Sequence, residues 1–282
     1  MSNERSVLII SGLDCWSMGE GKGGPALYKT ITGYANRGWR VYFVTGNRPS
    51  KEASDQIHEN IHVIRFDALW LKHLMRIRKI GFFAKILWWL YFQIMAFIKA
   101  QKLHSQEKFD VIYGYEIYGV PVARVLSKMW NVPMVARFQG TSFGVGWIGK
   151  RFRHLRAWEH FIGLRIPADL VIMTNDGTQG NKVLEELGVN MAKVRFWMNG
   201  VDWELFLNIP KPLEAKYTLN LGNKHVLMCI SRLVSWKRVD RSICAGSKGL
   251  SRHSACNYRR RSRTITIRTT GYKIRGGESC TI

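Results

Sequence analysis

Short apolar runs recur from residue 6 to residue 197, and the stretches between most of them have apolar positions spaced for helices. Residues 6–12 (SVLIISG), 39–46 (WRVYFVTG), 61–66 (IHVIRF), 109–115 (FDVIYGY), 133–138 (PMVARF), 168–174 (ADLVIMT) and 194–197 (VRFW) read as strands. Most are apolar throughout rather than alternating, the pattern of strands buried on both faces of a parallel sheet. Helices are predicted at 24–37, about 71–104, 120–130, 150–164 and 176–188. Pro25 opens the first of them at a favoured first-turn position, and Gly38 ends it. Strands alternating with helices specify a doubly wound, Rossmann-like α/β sheet, whose ligands lie beyond the carboxyl ends of the strands. After Asp202 the chain becomes linker-like, with Pro210 and Pro212, and a new apolar run at 225–231 (HVLMCIS) opens a second α/β domain. The expected organisation is an N-terminal domain at 1–205, a linker at 206–222, the start of a second domain at 223–243 and a tail at 244–282.

Residues 80–98 stand apart. Only Lys85 and Gln93 interrupt their apolarity, and the length suffices to cross a bilayer. Cations flank both ends, so the segment shows no positive-inside asymmetry. A single crossing would also place strands of one sheet on opposite sides of a membrane. Two readings stay open: a core helix, or a helix partly in a membrane interface with Trp88, Trp89, Tyr91 and Phe92 as anchors.

The balance of 46% hydrophobic and 22% charged residues excludes a disordered chain. Lys plus Arg is 43 against 20 Asp plus Glu, a net charge of +23 that favours phosphate-bearing partners: nucleic acid, sugar nucleotides or anionic headgroups. Five cysteines with no CxxC spacing argue against a zinc ribbon, a redox motif or a dense disulfide framework. The start MSNERSVLII lacks a signal-peptide layout, so the expected compartment is the cytoplasm. Residues 244–282 differ in kind from the body. They carry nine basic residues and one acid, Glu278, and hold no Val, Phe, Met or Trp, so no apolar stripe there can drive ordering. A disordered basic tail, RNA binding through YRRRSR and an out-of-frame reading are the alternatives for it.

Three motifs could carry chemistry. Gly19-Glu20-Gly21-Lys22-Gly23-Gly24 fits GxGxxG, but it begins well after the first strand, and the second strand ends in Gly46-Asn47-Arg48-Pro49 without an acid. Nicotinamide-dinucleotide binding is thereby disfavoured. A glycine loop opening a helix still offers backbone N–H groups and a dipole end to a phosphate. Asn199-Gly200-Val201-Asp202, with Phe206 beyond it, is a turn at the domain boundary. Ser231-Arg232-Leu233-Val234-Ser235-Trp236-Lys237-Arg238-Val239-Asp240 follows the 225–231 strand, and Arg232 and Lys237 could both face one diphosphate.

In this order the set resembles the GT-B retaining glycosyltransferases of family 4, with Thr174-Asn175-Asp176-Gly177-Thr178 after the sixth strand adding to it. The resemblance covers about residues 6–243. It implies two Rossmann-like domains facing a cleft and transfer of a sugar from a UDP- or GDP-sugar to a lipid-linked or envelope glycan acceptor. No metal or other cofactor is implied. Gly23 and Gly24 would approach the donor phosphates, Arg232 and Lys237 would neutralise the diphosphate leaving group, and Thr174, Asn175, Asn199, Gly200 and Asp202 would line the cleft. Fixed cations stabilise a departing diphosphate without a metal. The implied location is cytoplasmic or peripheral on the inner face of the plasma membrane, an anionic surface being a candidate partner and no specific nucleic acid being expected.

The chain departs from the family pattern twice. Many relatives carry a His after the fifth strand; here it is Gln139, which can hydrogen-bond but cannot act as acid or base. Glu116, read as ending the fourth strand, becomes the nearest ionisable candidate. Relatives also carry a Glu, seven residues and a second Glu in the donor domain, and nothing after Ile243 supplies that pair. The expectation is a broken or frameshifted second domain and a weak or inactive transferase. The rival classes are a non-enzymatic basic protein docking on membrane or nucleic acid and, less favoured, a nicotinamide oxidoreductase.

Overall fold

The computed structural model describes residues 5–13, 25–46, 57–68, 80–142, 144–146 and 157–200, isolated positions within 74–77 and 203–217, and the backbone of two short strands near the C-terminus. The chain divides into two compact units, Met1–Asp202 and Trp203–Ile282. In the second, Tyr272–Lys273 and Ser279–Cys280 pair antiparallel. The expected 225–231 strand lies outside the described residues, as does the rest of the 244–282 tail.

The first unit contains β1 (Ser6–Ser11), α1 (Pro25–Ala35), β2 (Arg40–Thr45), β3 (Ile61–Arg65), α2 (Gly81–His104), β4 (Val111–Tyr115), α3 (Glu116–Trp130), β5 (Met134–Phe138), α4 (Trp158–Arg165), β6 (Leu170–Thr174), α5 (Gly180–Glu186) and β7 (Val194–Trp197). The seven strands form one sheet in the order β3-β2-β1-β4-β5-β6-β7, every neighbour parallel. Alternation along β1 explains how both faces are covered. Val7 and Ile9 join Leu27, Ile31 and Ala35 of α1, while Leu8 and Ile10 join a core shared with α2, α3, α4 and α5. All six residues of β1 are buried, which is why it reads as an unbroken apolar run. Asp110 and Asp169, each just before a strand, accept from the backbone N–H of Ser6 (2.7 Å) and Met134 (2.9 Å) and pin the amino edge of the sheet.

Three boundaries differ from expectation. The helix predicted at about 71–104 is interrupted: Leu74 is helical, and α2 itself begins at Gly81, whose backbone lies so close to Met75 that a Cβ there would sit 2.6 Å from the Met75 carbonyl oxygen. Helix α3 starts at Glu116, a turn before the predicted 120, and carries Pro121 within it. Its early start is fixed by packing: Gly119 lies on β1, and a Cβ there would stand 2.0 Å from the Ile10 carbonyl oxygen. Helix α5 spans only Gly180–Glu186, because the residues from Asn175 to Thr178 are committed to a turn held by the Asp176 carboxylate.

The sequence ambiguity over 80–98 resolves into a helix of two unlike sides. Ala84, Trp88, Phe92, Ala96 and Ala100, four residues apart, are buried. The Trp88 indole N–H donates to the Ala68 carbonyl at 2.8 Å, and three alanines let the helix lie close to the sheet layer. The other side is exposed and equally apolar.

Candidate functional site

Strand order reverses between β1, whose connection leads outward to β2, and β4, whose connection leads to β5 on the other side. In a sheet of this class the crevice for ligands opens at that reversal, beyond the carboxyl ends of the strands. Glu116 stands there. Tyr115 ends β4, and Glu116 is the first residue of α3 with φ of +62°, a left-handed conformation that non-glycine residues seldom adopt. Glu116 therefore does not end the strand, as the sequence suggested, but occupies a sharp strand-to-helix corner. Its carboxylate Oε1 accepts a hydrogen bond from the Gln139 backbone N–H at 2.7 Å. Burial pushes its carboxyl up to about 7, although the Gln139 bond and the Arg137 guanidinium pull the other way; Asp176 adds to the rise.

Gln139, just past β5, bridges three elements. Its backbone holds Glu116, its Nε2 donates to the Tyr115 hydroxyl at 2.5 Å, and its Oε1 accepts from Asn199 Nδ2 at 3.1 Å. Asn199 Oδ1 in turn accepts from Arg137 Nη2 at 3.3 Å, and Arg137 Nη1 donates to Thr30 Oγ1 at 2.8 Å. The Arg137 guanidinium carbon lies 5.8 Å from the Tyr115 ring centroid. Arg137 Nε is buried with no hydrogen-bond partner among the described residues. Burial raises the hydroxyls of Tyr113, to about 12, and of Tyr115, so both remain neutral donors at ordinary pH. The result is a corner where a carboxyl that titrates near neutrality adjoins a fixed cation and three neutral hydrogen-bonding side chains.

The loops after β5 and β6 knit behind this corner. Asp176 Oδ1 accepts from the Thr178 backbone N–H at 3.0 Å and from its hydroxyl at 2.5 Å. Gly140, with φ of +142°, passes so close that a Cβ would lie 2.1 Å from Asp176 Oδ2. Ser142 Oγ lies 3.0 Å from His160 Nε2, tying the same loop to α4, and burial lowers that imidazole below its usual range.

Of the residues singled out in the sequence, Glu116, Gln139 and Asn199 converge directly. Gly200 adjoins Asn199, with open space where a side chain would be. Thr174 is buried at the end of β6, opposite Trp197 of β7, and the Asn175 backbone N–H donates to the Trp197 carbonyl at 2.8 Å; these two line the next strand ends rather than touching the Glu116 corner. Gly23, Gly24, Asp202, Arg232 and Lys237 lie outside the described residues. Arg137, Tyr115, Thr30 and Asp176 were not singled out. Arg137 left one trace in the sequence: a lone cation inside the PMVARF run, on the same side of β5 as Val135 and hence facing the α1 layer. Among the described residues no group of three His, Cys, Asp or Glu side chains converges to hold a metal ion.

The sequence profile of the glycosyl transferase 4-like domain matches residues 23–200. No curated protein sequence matches the chain. Among solved structures, HepE from Anabaena in complex with UDP superposes with a TM-score of 0.53 at 17% identity, over 86% of this chain and 57% of HepE. Sucrose-phosphate synthase from Thermosynechococcus elongatus gives a TM-score of 0.52 at 19% identity, over 77% of this chain and 53% of that one. The chain thus spans little more than half the length of these neighbours. What it shares with them is the α/β, Rossmann-like sheet of the GT-B architecture.

Proposed function

The chain belongs to the glycosyl transferase 4-like family, and we propose that it is the acceptor-side part of a transferase that moves a sugar from a UDP- or GDP-sugar to a lipid-linked or cell-envelope glycan. The observation that carries this reading is the Glu116–Gln139–Asn199–Arg137 corner, set at the reversal of strand order within the family-matched segment. In the reaction an acceptor oxygen bonds to the anomeric carbon while the bond from that carbon to the diphosphate oxygen breaks. A carboxylate at the Glu116 corner can receive the hydroxyl proton directly, and its pKa near neutrality suits that task. The Gln139 side chain positions the hydroxyl or a neighbouring sugar oxygen. Gly23 and Gly24 approach the donor phosphates, Arg232 and Lys237 neutralise the departing diphosphate, and Thr174, Asn175, Gly200 and Asp202 edge the cleft. The stereochemical outcome is retention, by resemblance. Residues 244–282 hold a single acid, Glu278, and do not supply the donor-side Glu pair that relatives use, so turnover by residues 1–282 alone is slow.

The test is transfer of radiolabelled sugar from UDP-glucose and GDP-mannose into a membrane lipid extract, measured with the full chain. Slow incorporation is expected, reduced by about a hundredfold or more in Glu116→Gln and weakened in Gln139→Ala. Incorporation no greater than with heat-denatured protein, for either donor, would overturn the reading. So would a Glu116→Gln variant as active as the parent chain.

A further inference from the structure

The outward side of α2 is a second feature, separate from the Glu116 corner. Phe83, Leu87, Leu90, Ile94 and Ile98 are 71%, 53%, 45%, 57% and 51% exposed. At an α-helical advance of about 100° per residue they fall within an arc of about 80°, and they extend for about 22 Å along the helix. Soluble surfaces seldom expose a continuous apolar stripe of that size without a partner. Beside it, Phe82, Ile86, Trp89, Leu90 and Trp158 line an apolar groove of about 340 Å³ between α2 and α4. The indole N–H groups of Trp89 and Trp158 have no hydrogen-bond partner among the described residues.

We infer that this stripe and groove dock flat onto an anionic lipid bilayer, the stripe entering the interface and the groove receiving part of an acyl chain. Charge identifies the occupant. From residue 68 to residue 106 there is no Asp or Glu, while seven Lys or Arg are present: Lys72, Arg76, Arg78, Lys79, Lys85, Lys99 and Lys102. Lys85 is engaged with the buried Glu159 carboxylate; in sequence the others precede and follow the residues of the stripe. An apolar strip bounded by cations and free of acids matches an interface of hydrocarbon beneath negative headgroups. A second copy of this chain is a poor match, because it would bring the same cations against them. A crossing orientation is excluded by topology, since α2 joins β3 and β4 of one sheet and buries its Ala84–Trp88–Phe92 side against the core. The inference does not rest on the transferase reading.

The experiment is flotation of the full chain with vesicles of phosphatidylglycerol and phosphatidylcholine in equal parts, and with vesicles of phosphatidylcholine alone. Binding to the anionic vesicles is expected at about 50 mM salt and release as salt screens the cations. The Phe83→Asp/Leu87→Asp/Ile94→Asp variant should lose at least about tenfold in bound fraction. Met191→Asp, at an exposed position in the turn before β7 at the far edge of the sheet, should bind like the parent chain. Thermal melts followed by circular dichroism establish that the triple variant is folded. Four results would each overturn the inference: no binding by the parent chain, undiminished binding by the folded triple variant, extraction only by detergent, or a dimer in solution that the triple variant dissociates. Sugar transfer to a detergent-dispersed acceptor should survive in the triple variant, so failure of docking and failure of the transferase reading are distinguishable.

Discussion

Replacing Glu116 with Gln should stabilise the protein at neutral pH, in the place where a conservative change at a partly buried, hydrogen-bonded residue would ordinarily weaken it. Burial raises the Glu116 carboxyl from 4.5 to about 7 in the folded chain. A group whose folded pKa is raised holds its proton more tightly when folded than when unfolded. Its contribution to stability is therefore complete below about pH 4.5 and is lost as pH climbs to about 7. At about 1.4 kcal/mol per pH unit the loss amounts to about 3.5 kcal/mol at most. Gln does not titrate and its carbonyl oxygen can accept the Gln139 backbone N–H as the carboxylate does, and the left-handed backbone at this corner is common to both chains. The stability difference between Glu116→Gln and the parent should thus grow in favour of the variant from pH 4.5 to pH 7 and then level off. Urea denaturation followed by circular dichroism, repeated across that range, measures it directly. A difference that stays flat with pH would refute the buried, raised carboxyl, and a difference that grows in the opposite direction would show that a partner holds Glu116 ionised. The same titration should appear in catalysis, with kcat/KM rising through about pH 7 as the carboxylate forms.

Gly119→Ala should destabilise the chain by roughly 3 kcal/mol, read by urea titration, because the new Cβ would stand 2.0 Å from the Ile10 carbonyl oxygen and α3 would have to lift off β1; a neutral substitution would refute that packing. Lys85→Met should cost roughly 2–4 kcal/mol by leaving the Glu159 carboxylate, whose side chain is 5% exposed, without its cation, and adding Glu159→Leu should restore most of the loss. Equal losses in the single and double variants would show that the pair contributes through packing alone. For the segment after Ile243, whose composition breaks from that of the body, the coding DNA translated in the other two forward frames should resume an apolar strand and a glycine-rich turn, followed later by a Glu, seven residues and a Glu. Immediate stops in both frames would make 244–282 a genuine basic extension.

What the sequence disclosed and what it hid divide along the distance between interacting residues. Strands β1, β4 and β6 were legible because a strand covered on both faces must be apolar at nearly every position, a local requirement that SVLIIS, VIYGY and LVIMT all meet. Gln139 was legible as a candidate through the family resemblance, since relatives carry a His after the fifth strand, and Glu116 as the nearest ionisable residue, read at the end of the fourth. Their cooperation was not, since it depends on Asn199, 60 residues beyond Gln139, and on Arg137 reaching Thr30 across 107 residues. A cation inside a strand gives no local sign of which helix it will meet. The long helix shows the same limit from the other direction. With both of its sides apolar, periodicity could not separate the Ala84–Trp88–Phe92 side from the Phe83–Leu87–Leu90 side. Close approach to the sheet does separate them, because alanine at 84, 96 and 100 suits a helix lying against other chain, whereas the outer positions carry large side chains. The core engages Ala84, Trp88, Phe92, Ala96 and Ala100, with Trp89, Tyr91, Met95, Phe97 and Leu103 packed beside them, and leaves Phe82, Phe83, Leu87, Leu90, Ile94 and Ile98 exposed. The apolarity of the outer side is therefore not explained by folding, and the acid-free, cationic setting in which it lies is the physical reason to seek its explanation at a lipid surface.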